Sequence, residues 1–284
     1  MSDLSLIKEL REKTGAGFLD CKNALKENKN NIELSIDYLR KKGLSKASKK
    51  SSREAKEGAV GLYSNDNILV ILKINSETDF SAKSDTFLDF LDLIGNIALK
   101  QNNSNLSLND FLNVSDNNKS ISDLLTEMIA KIGENLIIND LKIFDKKEFD
   151  VNFYVHNPYR KNIGKIVSAV FFQSEELNEN IQTFSKNLCM HIAASKPEAL
   201  DIDQLSSSLI ENERKIQEEM IKDSGKPSNV MEKILEGKMK KFYSEVTLLN
   251  QNFVIDPDKT IQEALNIVNL KNKFILKNYA LVTL

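Results

Sequence analysis

Twice along this chain, two runs of apolar, β-branched residues joined by a turn lead into one long amphipathic helix. That repeated order limits the fold more than any other feature. The first instance begins at Gly58, where "GAVGLYS" and "NILVILKIN" surround "NDN", a turn signal, and predict a β-hairpin. The helix "DTFLDFLDLIGNIALK" follows, with Phe87, Leu91, Ile94 and Ala98 on one face and Asp89, Asp92 and Asn96 mostly opposite. A polar, Asn-rich loop then leads to a helix, "SISDLLTEMIAKIGEN", and a strand, "LIINDLKIF". In the second instance "FDVNFYVHN" and "KIVSAVFFQ" form the hairpin, and "ELNENIQTFSKNLCMHIAASKP" the long helix. The order predicts two related α/β subdomains with antiparallel sheets.

Ahead of them lies helical spacing of a different kind. Ser2 or Asp3 can cap a helix carrying Leu4, Ile7 and Leu10, "TGAG" breaks it, and a second short helix carries Leu19, Ala24 and Leu25. After "NKNN", Asn31 can cap a third helix with Ile32, Ile36 and Leu39. A module this small has a marginal core, which suits docking better than catalysis. The following "KKGLSKASKKSSREAKEG" reads as a solvated tether; the sharper alternative is a basic arm for RNA or an acidic partner. It contains no aromatic residue on which a base could stack.

Inside the second subdomain sits an insertion of two polar helices joined by "SGKPS". Leu205, Leu209, Ile216 and Met220 form a narrow stripe on the first; Met231, Ile234 or Leu235, and Phe242 form one on the second. Narrow facing stripes predict an antiparallel helical hairpin, a coiled coil. "SEVTLLNQNFVID", then "DKTIQEALNIVN" as a helix and "KFILKNYALVTL" as a strand, return the chain to the sheet. The expected class is therefore α+β: a three-helix module over 1–42, a basic linker over 43–57, and a first core subdomain over 58–147. A second core subdomain spans 148–200 and 243–284, with the hairpin inserted at 201–242.

The 284 residues suit about two domains. Lys and Arg number 39 against 41 Asp and Glu, so a strongly basic nucleic-acid binder is disfavoured. No stretch approaches the roughly 18 consecutive apolar residues of a membrane span, and the start lacks the apolar region of a signal peptide; a cytoplasmic protein is expected. Cys21 and Cys189 stand alone, as do His156 and His191, so buried reduced thiols are expected and no metal site. His191, near a helix end, reads as a packed or capping histidine. "DSGKPSN" and "EGKMKK" lack the leading Gly of a phosphate loop at the required spacing, and no GxSxG, HExxH or paired-carboxylate motif stands out. The expectation is a docking protein, not an enzyme, with no cofactor and no nucleotide bound by the chain itself.

Four stretches, in order across about residues 4–262, carry a resemblance: "IKELREKTGAGFLDCKNALKE", "NSETDFSAKSDTF", "MHIAASKP", and "SGKP" followed by "EGKMKKFYSEVTLLNQNFVIDPDKTI". Together they resemble the bacterial elongation factor Ts family. The resemblance implies guanine-nucleotide exchange on elongation factor Tu, with a UBA-like N-terminal module and both subdomains contacting that partner. It implies that Thr78, Asp79 and Phe80 form a wedge near the partner's magnesium site. It further implies partner contacts by Arg11, Phe18 and Leu19, where many members carry Met-Met at the last two positions, and by His156. The turn "HNPYRKNIG" is longer than the family's Gly-rich turn. The long forms of the family also carry a C-terminal helical extension; here the chain ends on a strand, and that contact is expected to be missing.

The residues themselves leave alternatives. Phe80 lies seven residues before Phe87, so in a continuous helix it joins the buried stripe with Leu91 and Ile94; the resemblance turns it toward a partner instead. Asp79 can simply be a first-turn carboxylate, and Arg11 a surface charge. Phe18 and Leu19, adjacent on a helix, diverge by about 100°, so one is expected to be exposed. The rival reading of the whole is a non-catalytic RNA-associated or adaptor protein using the basic linker and helical modules.

Overall fold

The structure is a computed structural model that describes residues 3–14, 16–222 and 227–284. The chain begins with helices α1 (Asp3–Thr14), α2 (Phe18–Glu27) and α3 (Ile32–Lys50), then strands β1 (Glu57–Ser64) and β2 (Ile68–Ser76). The short α4 (Asp79–Ala82) precedes α5 (Asp85–Gln101), α6 (Leu108–Leu112), a ribbon of β3 (Ser115–Asp116) and β4 (Lys119–Ser120), α7 (Ile121–Ile132) and β5 (Leu136–Asp145). Next come β6 (Asp150–His156), β7 (Ile163–Gly164), β8 (Ile166–Gln173) and α8 (Glu179–Ser195). Helices α9 (Ser207–Lys222) and α10 (Ser228–Val246), strands β9 (Asn252–Phe253) and β10 (Asp256–Thr260), α11 (Ile261–Asn272) and β11 (Ile275–Thr283) complete the trace.

These elements form two compact units. The first holds Met1–Lys147, Asn157–Ile166 and Val282–Leu284; the second holds Glu148–His156 and Val167–Leu281. The class is mixed α+β, with N-terminal helices and antiparallel sheets.

In the first unit the sheet order is β5-β2-β1-β7. The β1–β2 hairpin is antiparallel, from Glu57 opposite Ser76 to Ser64 opposite Leu69. Its turn is set by Asn65, whose Oδ1 accepts hydrogen bonds from the backbone N–H of Asn67 and Ile68, each at 2.9 Å. Against the sheet lies α5, burying Phe87, Leu91, Ile94 and Ala98 as the spacing predicts, and Leu88, Phe90 and Ile97 as well. Each such side chain contributes roughly 1.5–3 kcal/mol of burial. Two glycines admit the Tyr63 ring between strand and helix. A Cβ on Gly61 would meet Tyr63 Oη at 2.5 Å, and one on Gly95 would meet ring carbon Cε2 at 2.0 Å.

The N-terminal helices close their own small core with Leu6, Ile7, Leu10, Cys21, Ala24 and Leu25, against which Ile32, Ile36 and Leu39 pack. Leu4, expected on the packed face with Ile7 and Leu10, is exposed, and so is Leu19. The first lies about 160° round the helix from Leu6 and about 120° from Leu10; on α2, Cys21 takes the core position. Asn31 caps α3 as predicted, its Oδ1 accepting from Leu34 N at 3.0 Å. Ser2, the other candidate cap, lies outside the described residues, as does the Asp3 side chain. Helix α3 runs on to Lys50, so much of the expected tether is helical. At Gly43 α3 approaches α7 closely, and a Cβ there would lie 3.3 Å from Ala130 Cβ. Arg40 pairs with Asp123 of α7 at 3.1 Å.

The second unit has a sheet of order β11-β8-β6. The two expected hairpin strands, β6 and β8, are neighbours, but the segment between them does not close as a simple turn: residues 157–166 belong to the first unit. The core gathers Val170, Phe172, Ile181, Leu188, Ile192, Leu248, Phe253, Ile261 and Phe274. Phe172 and Phe274 stack at 4.5 Å between ring centroids. His191 is fully buried, as a packed histidine should be. Its Nδ1 accepts from Val254 N at 3.2 Å, which leaves Nε2 to donate to Gln251 Oε1 at 2.9 Å. Burial pushes its pKa down. Both cysteines are buried and free.

One expectation in this unit needs correction. The helical pair α9–α10 is present, but its seam is Ile210, Ile221, Met231, Ile234, Leu235, Met239 and Phe242. Ile216 and Met220 face solvent. The polar Gln217 takes the seam position instead, accepting from Lys238 Nζ at 2.8 Å and donating to Glu213 at 2.6 Å. Leu205 is buried but precedes α9. Over "SEVTLLNQNFVID", α10 extends to Val246, a 3₁₀ turn covers Leu248–Asn250, and Asn252–Phe253 pairs with β10. Gln251 favours this course, its Nε2 donating to Glu245 O at 2.7 Å near the end of α10.

Gly95→Ala is expected to destabilise the chain by about 1–3 kcal/mol, because the new methyl overlaps a ring that has no room to retreat. Urea denaturation read by circular dichroism checks it.

Candidate functional site

The candidate wedge sits where β2 ends. Thr78 has extended backbone (φ −126°, ψ 155°) and its Oγ1 accepts from Ser81 N at 3.2 Å, starting α4. The same hydroxyl donates to Glu134 Oε1 at 2.7 Å, while Thr78 N donates to Glu134 Oε2 at 3.1 Å. One residue earlier, Glu77 Oε1 accepts from Asn135 N at 2.6 Å, and the buried Asn135 side chain donates to Arg53 O at 2.7 Å. The turn is thus stitched at its base to the "EN" pair that opens β5. Thr78's side chain is engaged within the chain, so it holds the turn.

Four residues long, α4 stops at Lys83. Ser84 explains the stop: its Oγ donates to Ser81 O at 2.8 Å and accepts from Phe87 N at 3.3 Å, closing one helix and capping the next. Phe80 and Phe87 therefore lie on different helices, and the seven-residue spacing that placed Phe80 on the buried stripe does not apply. Phe87 is fully buried and Phe80 is 84% exposed. Beside it, Asp79 accepts from Lys83 Nζ at 2.8 Å. That hydrogen bond holds the Asp79 carboxyl below the usual carboxylate range, so it is ionised at neutral pH. The result is a bare aromatic ring flanked by a fixed negative charge on a braced turn.

Arg11, Phe18 and Leu19 lie in the same unit. Arg11 and Phe18 line one shallow groove with Leu4 and Ile7. Both apolar residues are exposed, Phe18 at 43% and Leu19 at 70%, where only one was expected. The core side of α2 is supplied by Cys21, Ala24 and Leu25, which frees both. His156 belongs to the second unit, exposed at the end of β6, with Nδ1 3.1 Å from Tyr154 Oη.

Some residues that shape the site were not singled out in the sequence. Glu134 and Asn135 brace the wedge from 56 and 58 positions away, a separation that no local pattern reveals. Arg160 donates to Asp85, Asp89 and Asp92 of α5. A row of like charges on a helix, at i, i+4 and i+7, was the available signal that a cation lay opposite.

Truncating the two rings should separate them. Phe87→Ala is expected to cost about 3–5 kcal/mol of stability, and Phe80→Ala to stay within about 0.5 kcal/mol of the parent. Chemical denaturation midpoints at constant slope measure both.

No helix among the described residues is long and apolar enough to cross a membrane. Comparison with known proteins gives a consistent answer. Residues 77–281 match the family Elongation factor TS, a match that starts at the wedge turn. The chain is 41% identical over 261 residues to Elongation factor Ts of Allorhizobium ampelinum, covering 92% of this chain and 84% of that protein. It is 39% identical to the same factor of Rhizobium meliloti, covering 92% and 85%, and 39% identical to that of Rickettsia felis, covering 93% and 86%.

Proposed function

The chain belongs to the elongation factor Ts family, nucleotide-exchange factors of translation elongation, and we propose that it binds elongation factor Tu·GDP and promotes GDP release by inserting Phe80 beside the partner's magnesium and phosphate site. The observation that carries this reading is the 84% exposure of Phe80 on a turn braced from both sides. Burying that ring against a partner is worth roughly 1.5–3 kcal/mol. The turn is already ordered, so little of this gain is lost in ordering it on binding.

The mechanism follows from linkage. An exchange factor must bind the nucleotide-free partner more tightly than the loaded one, and the same factor then weakens nucleotide binding. Phe80 supplies a rigid ring that can displace groups holding the metal. Asp79, ionised and held by Lys83, supplies a charge that can compete for polar groups around it. The phosphates lose their counter-charge and GDP leaves; loading of a second nucleotide expels the factor. No covalent step is involved, and the chain acts without a cofactor of its own. Under this reading Arg11, Phe18 and Leu19 form a second contact through the N-terminal module, and His156 a third through the second unit. The site of action is the cytoplasm, where translation occurs.

The test follows release of labelled GDP from elongation factor Tu. Acceleration by the wild-type chain is expected, with Phe80→Ala reducing it at least about tenfold, the loss expected of an anchor worth ~1.4 kcal/mol or more. Release left unaccelerated by the wild-type chain overturns the exchange assignment. Full acceleration by Phe80→Ala overturns only the wedge.

A further inference from the structure

The segment "NPYRKNIG", the stretch that departs from the family's Gly-rich turn, carries two side chains that address the wedge elements. Asn157 and Asn162 turn its backbone at positive φ, 48° and 63°. It is fastened to β1: Leu62 N donates to Asn162 O at 2.9 Å, and Ile163 and Gly164 pair with Gly61 and Val60. Ile163 is fully buried in the same core as Phe87. Within this frame Tyr159 N donates to Ile163 O at 2.9 Å. The segment is a fixed bracket on the sheet.

From the bracket, Arg160 reaches α5. Its Nη1 donates to Asp89 Oδ1 at 2.7 Å and Asp92 Oδ2 at 3.1 Å, and its Nη2 donates to Asp85 Oδ1 at 3.2 Å. Asp92 also accepts from Tyr63 Oη at 3.2 Å. The neighbouring Tyr159 ring lies beneath Lys83 Nζ, 5.9 Å from its centroid, and Lys83 is the residue that pairs with Asp79. One dipeptide thus addresses both sides of the Ser84 break: α5 through Arg160 and α4 through Tyr159. Isolated exposed ion pairs contribute little. Here one planar cation serves three carboxylates from a backbone that is itself tied down, an arrangement a lysine cannot reproduce.

We infer that Tyr159 and Arg160 are positioning residues for the wedge, holding the Phe80 turn in a fixed orientation relative to the sheet. The inference rests on the exchange reading for its functional consequence, and on the bracket geometry alone for its structural one.

Two measurements test it. In GDP release from elongation factor Tu, Arg160→Met is expected to lower the plateau rate about tenfold through misplacement of the ring. The half-saturating concentration should change by no more than about twofold. Arg160→Lys should fall between the two proteins. Because Arg160 acts through Phe80, the double variant Phe80→Ala/Arg160→Met should be no slower than Phe80→Ala alone. An unchanged plateau, or a double variant slowed by the product of the single effects, overturns the inference. The second measurement needs no partner: 4-fluorophenylalanine at position 80, read by fluorine NMR in the free full-length chain. Arg160→Met should shift or broaden that resonance, whereas Lys241→Met, which breaks the exposed pair with Glu245, should not. A resonance unmoved by both Arg160→Met and Arg160→Lys overturns the inference. If the wild-type chain fails to accelerate release, the exchange reading falls while the fluorine result still decides the bracket.

Discussion

A single serine hydroxyl decides what the candidate site can be. By donating to Ser81 O and accepting from Phe87 N, Ser84 ends α4 and begins α5. Had the helix run through, Phe80 would lie on the stripe that contains Phe87 and Leu91, and its ring would be core. With the break, α4 is a lone turn whose large apolar residue has nothing of its own chain to cover it. The bracing at Thr78, Glu134 and Asn135 then keeps that turn from collapsing onto the sheet. Exposure of an aromatic ring costs roughly 1.5–3 kcal/mol of forgone burial.

Much of the fold was legible in the sequence because the periodicities are strong. Alternation and β-branching located the hairpin of the first sheet, and Asn65 set its turn; Phe87, Leu91, Ile94 and Ala98 placed α5. Where spacing alone misleads, the misreadings share a physical form with the stripe position it gives Phe80. Counting apolar residues favoured Ile216 and Met220 on α9, whereas a hydrogen-bonded Gln217 occupies the seam and leaves both in water. Beyond Phe242, α10 persists to Val246, where Gln251 serves its end. At Phe80 the seven-residue spacing alone points to the buried stripe and the resemblance points outward; the Ser84-Asp85 pair, a cap followed by a first-turn acid, marks the helix start that separates Phe80 from that stripe. Short polar contacts thus overruled hydrophobic spacing at Gln217 and at Ser84.

The site was legible in a different way. Its residue identities came from resemblance and its exposure from the structure; spacing supplied only that Phe18 and Leu19 could not both face the core. The family match covers residues 77–281, and relatives near 40% identity cover over nine-tenths of the chain. The bracket at Tyr159 and Arg160 was invisible locally, because its partners lie 68 to 75 positions away on α5. Only the unbalanced acidic row of Asp85, Asp89 and Asp92 hinted at it. The segment that carries Tyr159 and Arg160 is thus joined to the helix that follows the candidate wedge.

The central claim is that an exposed ring on a fixed turn converts binding energy into weaker nucleotide binding by the partner. Equilibrium linkage tests it most directly: the dissociation constant of GDP from elongation factor Tu, measured with and without saturating chain, against the chain's own affinity for the GDP-loaded and nucleotide-free partner. The account predicts that the two ratios are equal, that they exceed about fivefold as coupled sites do, and that Phe80→Ala shrinks both together. Equal affinity of the chain for the two forms of the partner, or a full ratio retained by Phe80→Ala, would contradict it.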